Sequence, residues 1–343
     1  MKHPPLAPGH IDAPHLEAAL GDLRLECGDL IRGYRQSYVT HGSPGAKDKI
    51  LACISLTGTH HRLDFLIGPG RALDPEKAFI VVADPIGNGM STSPSNSAAQ
   101  PGMRFPRFTL RDMIQAQYRL LTEHLGISHV RAIVGASMGG MQALQWGVSH
   151  PGFADRLVAM TPMAKTSPWA AMVTEAARSA LMADPAWNGQ SFTAVPERGW
   201  RAWAAMKTAL LMRSPAALEE HLKDAAHAHR WFEDVLGQIR SNAFDAHDYL
   251  YQSRAYDAHD VGTTPGFGGN TAQALGSIRA RTLLLAPPLD LFNPSHAAVE
   301  AAKAISGGTF VEIPSIQGHQ AATSNRPEDA AFLNRVIAEF LAA

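Results

Sequence analysis

The stretch Val130-Arg-Ala-Ile-Val134-Gly135-Ala136-Ser137-Met138-Gly139-Gly140-Met141-Gln142-Ala143-Leu144 runs an apolar, β-branched segment straight into Gly-x-Ser-x-Gly and then into good helix formers. A serine at such a strand-to-helix turn is held in a strained backbone that pushes its hydroxyl outward. The flanking glycines fit that demand, because strand and helix can approach this closely only where side chains are missing. The plain alternative is a glycine-rich turn with a capping serine. The strand before it and the helix after it favour a nucleophile.

A serine hydroxyl is a poor nucleophile until a base takes its proton, so the reading requires a histidine, and an acid to orient it, later in the chain. Asp290 stands in Pro287-Pro-Leu-Asp290-Leu-Phe-Asn-Pro294, after the apolar run Thr282 to Ala286. His319 stands in Ile316-Gln317-Gly318-His319-Gln320, after the run Thr309 to Ile313. Both positions are strand ends, where such groups converge. The chain has 16 histidines, so position decides among them. His60, His61, His227, His229, His247 and His259 read as solvated or core imidazoles, and Asp290 has a competing reading as a turn or cap residue.

Acyl transfer also needs donors for an oxyanion. The amide of Met138, next to the serine, is the first. The segment Ile54-Ser55-Leu56-Thr57-Gly58-Thr59 leaves a buried run and turns at Gly58, which makes the Leu56 amide the second candidate and Thr57 its neighbour. The run Asp84-Pro-Ile-Gly87-Asn-Gly89-Met-Ser91 reads as a turn supporting the site, and Gly68-Pro-Gly70 as loop punctuation. Neither has the Gly-Lys-Ser or Gly-Lys-Thr of a phosphate loop.

Working outward, continuous apolar runs at Ile50 to Ser55, Ala78 to Ala83, Val130 to Val134 and Leu157 to Met160 predict strands covered on both faces. Apolar residues at three- and four-residue steps predict a crossover helix over Thr109 to Leu125. Strand signal stops between Ala164 and Leu275, where five of the six tryptophans fall, and returns at Thr282 and Thr309. The expected fold class is α/β, a mostly parallel sheet interrupted by a helical lid: core 1–163, lid 164–275, core 276–343.

Composition excludes other classes. The 343 residues carry 30 Lys and Arg against 31 Asp and Glu, a net charge of −1, so no global positive field gathers nucleic acid or anionic lipid. Two cysteines, Cys27 and Cys53, make neither a disulfide scaffold nor a zinc motif. No run of about eighteen apolar residues suggests a membrane span, and no apolar signal-peptide run follows the Pro-rich start. A cytoplasmic enzyme with no metal or organic cofactor is expected.

The chain resembles the homoserine O-acetyltransferase-like branch of the α/β-hydrolases. The matching stretches are Leu66-Ile-Gly-Pro-Gly-Arg-Ala-Leu-Asp74, Phe108-Thr-Leu-Arg-Asp-Met-Ile-Gln-Ala-Gln117, Gly135-Ala-Ser-Met-Gly-Gly-Met-Gln142, Asp184-Pro-Ala-Trp-Asn-Gly189 and Phe244-Asp-Ala-His-Asp-Tyr-Leu250. The resemblance implies the α/β-hydrolase fold, Ser137 as acyl-accepting nucleophile with Asp290 and His319 as partners, and a lid that pairs subunits into a homodimer. It also implies two contacts this chain departs from. Members that acetylate homoserine have an aspartate directly after the catalytic histidine to meet the substrate ammonium, where this chain has Gln320, and a lid arginine for the carboxylate. Here Gly199-Trp-Arg-Ala-Trp-Ala-Ala-Met206 puts Ala205 or Met206 at the arginine's position, with Arg201 nearby.

Losing two charge-assisted contacts, each about 1.5 to 3 kcal/mol, disfavours a zwitterionic acceptor. The expectation is therefore a serine hydrolase of small, short-acyl carboxylic esters, with Thr57, Met206 and Gln320 in an apolar substrate pocket. An acyltransferase using acetyl-CoA or succinyl-CoA and an alcohol or thiol acceptor is the alternative. A non-catalytic binding protein is the rival from another class, and it has no use for a complete serine, histidine and aspartate set.

Overall fold

The computed structural model describes residues 6–241, 244–323 and 326–343. The buried apolar runs pair into an eight-stranded sheet: β1 (Leu16–Arg24), β2 (Leu30–His41), β3 (Asp48–Cys53), β4 (Ala78–Ala83), β5 (Val130–Ala136), β6 (Ala154–Met160), β7 (Arg281–Ala286) and β8 (Gly308–Glu312), in the order β1-β2-β4-β3-β5-β6-β7-β8. β3 to β8 are parallel to one another, while β1 and β2 run antiparallel at one edge. The α/β class and the mostly parallel sheet are thus found, each apolar run lying on a strand to within a few residues.

Alternation along the strands divides the core in two. Leu51, Cys53, Val81, Ile133, Leu157 and Leu284 point to one face, which is covered by α1 (Leu110–Arg119) and α2 (Met138–Ser149). Ile50, Ala52, Ile80, Val82, Val134, Val158 and Leu285 point to the other, which receives Leu333, Ile337 and Leu341 of the C-terminal helix Pro327–Ala342. Covering both faces is why these strands read as continuous apolar runs. β1 and β2 gave no such signal because their residues alternate between buried and exposed along much of their length.

The helix expected over Thr109 to Leu125 starts with Thr109 and Asp112 in a reciprocal capping box and passes at Leu120 into a π-helical turn, Leu120–His124. Between β6 and β7 the described chain is helical: α3 (Pro168–Met182), α4 (Glu197–Trp203), a π-helical turn over Ala204–Leu211, α5 (Pro215–His221), α6 (Ala225–Ser241), α7 (Ala246–Asp257) and α8 (Thr271–Gly276). No described helix is long and apolar enough to cross a membrane.

The elbow between β5 and α2 has no spare room. A Cβ on Gly135 would lie 2.1 Å from the Gly139 carbonyl oxygen, one on Gly139 2.2 Å from that of Cys53, and one on Gly140 2.8 Å from that of Met160. All three neighbours are backbone, which cannot swing aside. Gly139→Ala is expected to destabilise the fold by about 3 kcal/mol or more, whereas Gly237→Ala, on α6 with nothing within 4 Å, should be neutral or gain about 0.5 to 1 kcal/mol. Urea unfolding of both variants checks the contrast, and a mild Gly139→Ala would mean that the elbow is not close-packed.

Candidate active site

Three side chains from distant parts of the sequence meet above the C-terminal ends of β5, β7 and β8. Ser137 Oγ lies 2.8 Å from His319 Nε2, and His319 Nδ1 lies 2.7 Å from Asp290 Oδ2. All three residues are buried. In this chain of hydrogen bonds the carboxylate selects the tautomer with the proton on Nδ1, leaving Nε2 free to accept from the serine hydroxyl. Such an array can raise the nucleophilicity of Ser137.

Each member is held by its own surroundings. Ser137 has φ 56° and ψ −123°, a conformation that costs an L-residue energy. Its amide donates to the Met160 carbonyl at 2.8 Å, which ties the elbow to β6. Asp290 Oδ1 accepts from the amides of Phe292 and Asn293, both at 2.8 Å, so the carboxylate cannot turn away from His319. Asn293 in turn donates from Nδ2 to the Thr161 carbonyl at 2.7 Å and accepts from the Tyr256 hydroxyl. Burial, with Asp290 nearby, pushes the Tyr256 hydroxyl well above its ordinary range, so it remains a neutral donor. The Phe292 ring meets His319 edge-on at 5.0 Å.

Among the described residues no hydrogen bond is made by the amide of Leu56 or of Met138, whereas the Thr57 amide donates to Gln252 Oε1 at 3.1 Å. Of these two neighbouring amides, that of Thr57 is engaged and that of Leu56 is not. Thr57 has φ 62°, a rare conformation for a β-branched residue, and Gln252 holds it there while also donating to the Ile86 carbonyl at 3.1 Å. The Asp84 turn braces the same loop: Asn88 Nδ2 donates to the Gly58 carbonyl at 3.2 Å and to Asp84 Oδ1 at 2.9 Å.

Ser137 and His319 open onto a cavity of about 420 Å³, whose walls include Leu56, Thr57, Trp200, Trp203, Met212, Ile239, Phe244, Phe292 and Gln320. Thr57 and Gln320 therefore border the space expected of them. Met206 does not: it packs against the hydrophobic core, and its successor Lys207 faces the cavity. The reason is the π-helical turn Ala204–Leu211, whose i→i+5 hydrogen bonds put more residues in each turn and so rotate the register away from that of an α-helix. Arg201 is also outside, pairing with Glu233 at the exposed surface.

Lys207 is the residue that sequence reasoning missed. It is only 4% exposed, and among the described residues no carboxylate lies within 4 Å of its ammonium. Nζ instead sits 5.3, 5.0 and 4.9 Å from the ring centres of Trp203, Tyr249 and Phe292. Burial pushes its pKa down to about 7, a shift that the charge of Asp257 opposes and that of Arg178 adds to. The pocket anticipated as apolar is bordered by the cationic side chains Lys207 and Arg62 as well as by its aromatic residues. The signal for Lys207 lay in the sequence, one position beyond the pair considered for the missing arginine.

Comparison with known proteins follows the same lines. A family model described as alpha/beta hydrolase fold matches residues 58–317. A homoserine O-acetyltransferase from Methanosalsum zhilinae is 33% identical over 366 residues, spanning 95% of this chain and 72% of the relative. Among solved structures, an acetylester hydrolase from Corynebacterium glutamicum superposes with a TM-score of 0.90 at 27% identity, covering 96% of both chains. The acetyl esterase MekB gives 0.89 at 27% identity, covering 96% of this chain and 97% of the other.

The state of Lys207 is open to measurement through stability. Above pH 7 the buried amine is neutral, while in the unfolded chain it stays charged to about pH 10.5, so the unfolded state binds the extra proton and stability gains with rising pH across that window. Lys207→Met is expected to raise stability at pH 7 by on the order of 2 to 4 kcal/mol and to flatten that rise. Urea titrations between pH 6 and 10 check both; parallel profiles for the two proteins would show that Lys207 is solvated.

Proposed function

The chain belongs to the α/β-hydrolase family, in the branch that holds the homoserine O-acetyltransferases, and on that footing we propose that it is a serine hydrolase cleaving small, short-acyl carboxylic esters. His319 accepts the Ser137 proton through Nε2 as Oγ attacks the ester carbonyl. The tetrahedral oxyanion forms under the amides of Leu56 and Met138. His319 then returns its proton to the departing alcohol, leaving an acyl-enzyme on Ser137. Water, deprotonated by His319, attacks in turn, and collapse of the second tetrahedral intermediate frees the acid. Asp290 holds the imidazole in its tautomer and stabilises the cation that forms on it.

The observation that carries this reading is the pairing of the hydrogen-bonded Ser137, His319 and Asp290 with a cavity whose walls include the apolar cluster Trp200, Trp203, Met212, Phe244 and Phe292. Such walls suit an apolar ester. At the position after His319, Gln320 offers no negative charge to an amino-acid ammonium. The names of the two similar structures, an acetylester hydrolase and an acetyl esterase, support the same assignment. We also propose that the helices of residues 164–275 form a lid that pairs two subunits, a reading supported by exposed Trp169, Met172 and Leu210 on that segment.

One observation favours a second reading, acyl transfer from an acyl-CoA to an alcohol or thiol acceptor. The Lys207 ammonium faces the cavity without a carboxylate partner among the described residues, so an acceptor bearing a carboxylate would find a counter-charge. The name of the Methanosalsum zhilinae relative points the same way.

Turnover of p-nitrophenyl acetate and ethyl acetate, with and without homoserine, and with acetyl-CoA as alternative donor, separates the two. Hydrolysis that is indifferent to homoserine is expected. CoA release that requires homoserine, with simple esters untouched, would overturn hydrolysis in favour of transfer. In the same assay Asp290→Asn is expected to lower kcat by roughly 10³- to 10⁴-fold with little change in KM, because the imidazole loses its tautomer while the cavity stays intact. A loss below tenfold would exclude Asp290 from the array.

A further inference from the structure

At the edge of the cavity onto which Ser137 opens, four histidines lie ring against ring, two of them lining it. His10 stacks on His61 at 4.2 Å, His61 lies 4.3 Å from His60, and His60 lies 4.3 Å from His15. They come from two separate parts of the chain: His10 and His15 from the segment before β1, His60 and His61 from the first turn of the 3-10 helix His60–Leu66. From the sequence His60 and His61 read as ordinary core or solvated imidazoles, and the ester chemistry uses none of the four.

We propose that His15, His60 and Asp84 form a binding site for one divalent transition-metal ion, of which Zn²⁺ is the first candidate. His60 Nδ1 lies 3.0 Å from Asp84 Oδ2 and 3.2 Å from His15 Nε2, and one ligand atom from each of the three residues falls within 4.8 Å of the others. His15 Nε2 also lies 2.9 Å from His60 Nε2, so it stands beside both nitrogens of that ring. Ligand atoms bound tetrahedrally to zinc at about 2.0 to 2.1 Å stand about 3.3 Å apart, near the separations found here. Two imidazoles and a carboxylate suit zinc, cobalt or nickel and not magnesium or calcium.

The surroundings are those of a prepared site. Asp84 is fully buried, its Oδ2 accepting from Ser37 Oγ at 2.9 Å and its Oδ1 from the His60 amide at 3.0 Å and from Asn88 Nδ2. Such outer contacts fix the direction of a ligating carboxylate. His60 is 1% exposed, while His15 is exposed and gives the ion a way in. Binding would rivet the segment before β1 to the loop at the cavity, since His10 and His61 both line that cavity. The ion is a clasp on the wall and takes no part in the ester step.

The test uses the whole chain, stripped with EDTA and titrated with ZnCl₂ alone. One equivalent of Zn²⁺ is expected to bind and to raise Tm, because a ligand that binds only the folded state stabilises it. His15→Ala, a change at an exposed position, should weaken that binding at least tenfold and abolish the Tm rise, whereas His227→Ala should leave both unchanged. Should the stripped wild type take up no Zn²⁺, or should His15→Ala bind it as tightly as wild type, the site does not exist. A larger loss in His227→Ala than in His15→Ala would move the binding to the outer helices and equally overturn it. Retention of p-nitrophenyl acetate hydrolysis by both variants shows that they have folded.

Discussion

Everything at the catalytic end of the molecule depends on how closely α2 is allowed to approach β3 and β5. Gly135 and Gly139 are in backbone contact with each other, Gly139 also touches the Cys53 carbonyl, and Gly140 abuts that of Met160. This closeness forces Ser137 into its positive-φ conformation and aims its hydroxyl at His319. It also brings the N-terminus of α2 beside the loop after β3, with Leu56 and Ser137 on the walls of one cavity. Behind the elbow, buried Gln142 donates to the Ile54 carbonyl at 2.9 Å and accepts from Gln117, which in turn accepts from Trp146 Nε1. The strain at Ser137 is sustained by this polar network and by the sheet, a rigid platform for a reactive group.

Strain recurs around the same opening. Thr57, Ser137 and Thr161 are the non-glycine residues with positive φ among those described, and they follow β3, β5 and β6. Thr57 is held by Gln252 from α7, while the Thr161 carbonyl is held by Asn293 beside Asp290. The helices inserted between β6 and β7 therefore do more than cover the cavity. Through Gln252 and Tyr256 they fix the loops on which Thr57 and Asp290 sit, and through Lys207 they place a titratable amine in the cavity wall.

How much of this was legible in the sequence follows from what each feature needs. The buried parallel strands were readable because burial on both faces demands unbroken apolar runs, and Ser137, Asp290 and His319 because each sits at a strand end with distinctive neighbours. The hairpin β1–β2 was not, because its polar and apolar residues alternate and its Ala, Leu and Glu residues suit a helix equally well. Backbone donors leave no side-chain signature, so Leu56 and Thr57 could be told apart only once Gln252 was seen holding the Thr57 amide. Lys207 was passed over in favour of Met206 because a π-helical turn changes which residue faces inward, and no local composition announces that turn. The histidine cluster was invisible for another reason: its two pairs, His10 with His15 and His60 with His61, lie far apart in sequence and meet only through the fold.

The central claim is that Ser137 is an activated nucleophile and that His319 activates it. Labelling by a fluorophosphonate, followed by mass spectrometry of the intact protein and of its peptides, tests this most directly. The account predicts rapid formation of one adduct per chain on the peptide containing Ser137, no adduct in Ser137→Ala, and labelling slowed by orders of magnitude in His319→Ala, where the serine remains but its base is gone. A wild-type protein left unlabelled, an adduct on another residue, or a His319→Ala variant labelled at the wild-type rate would contradict it.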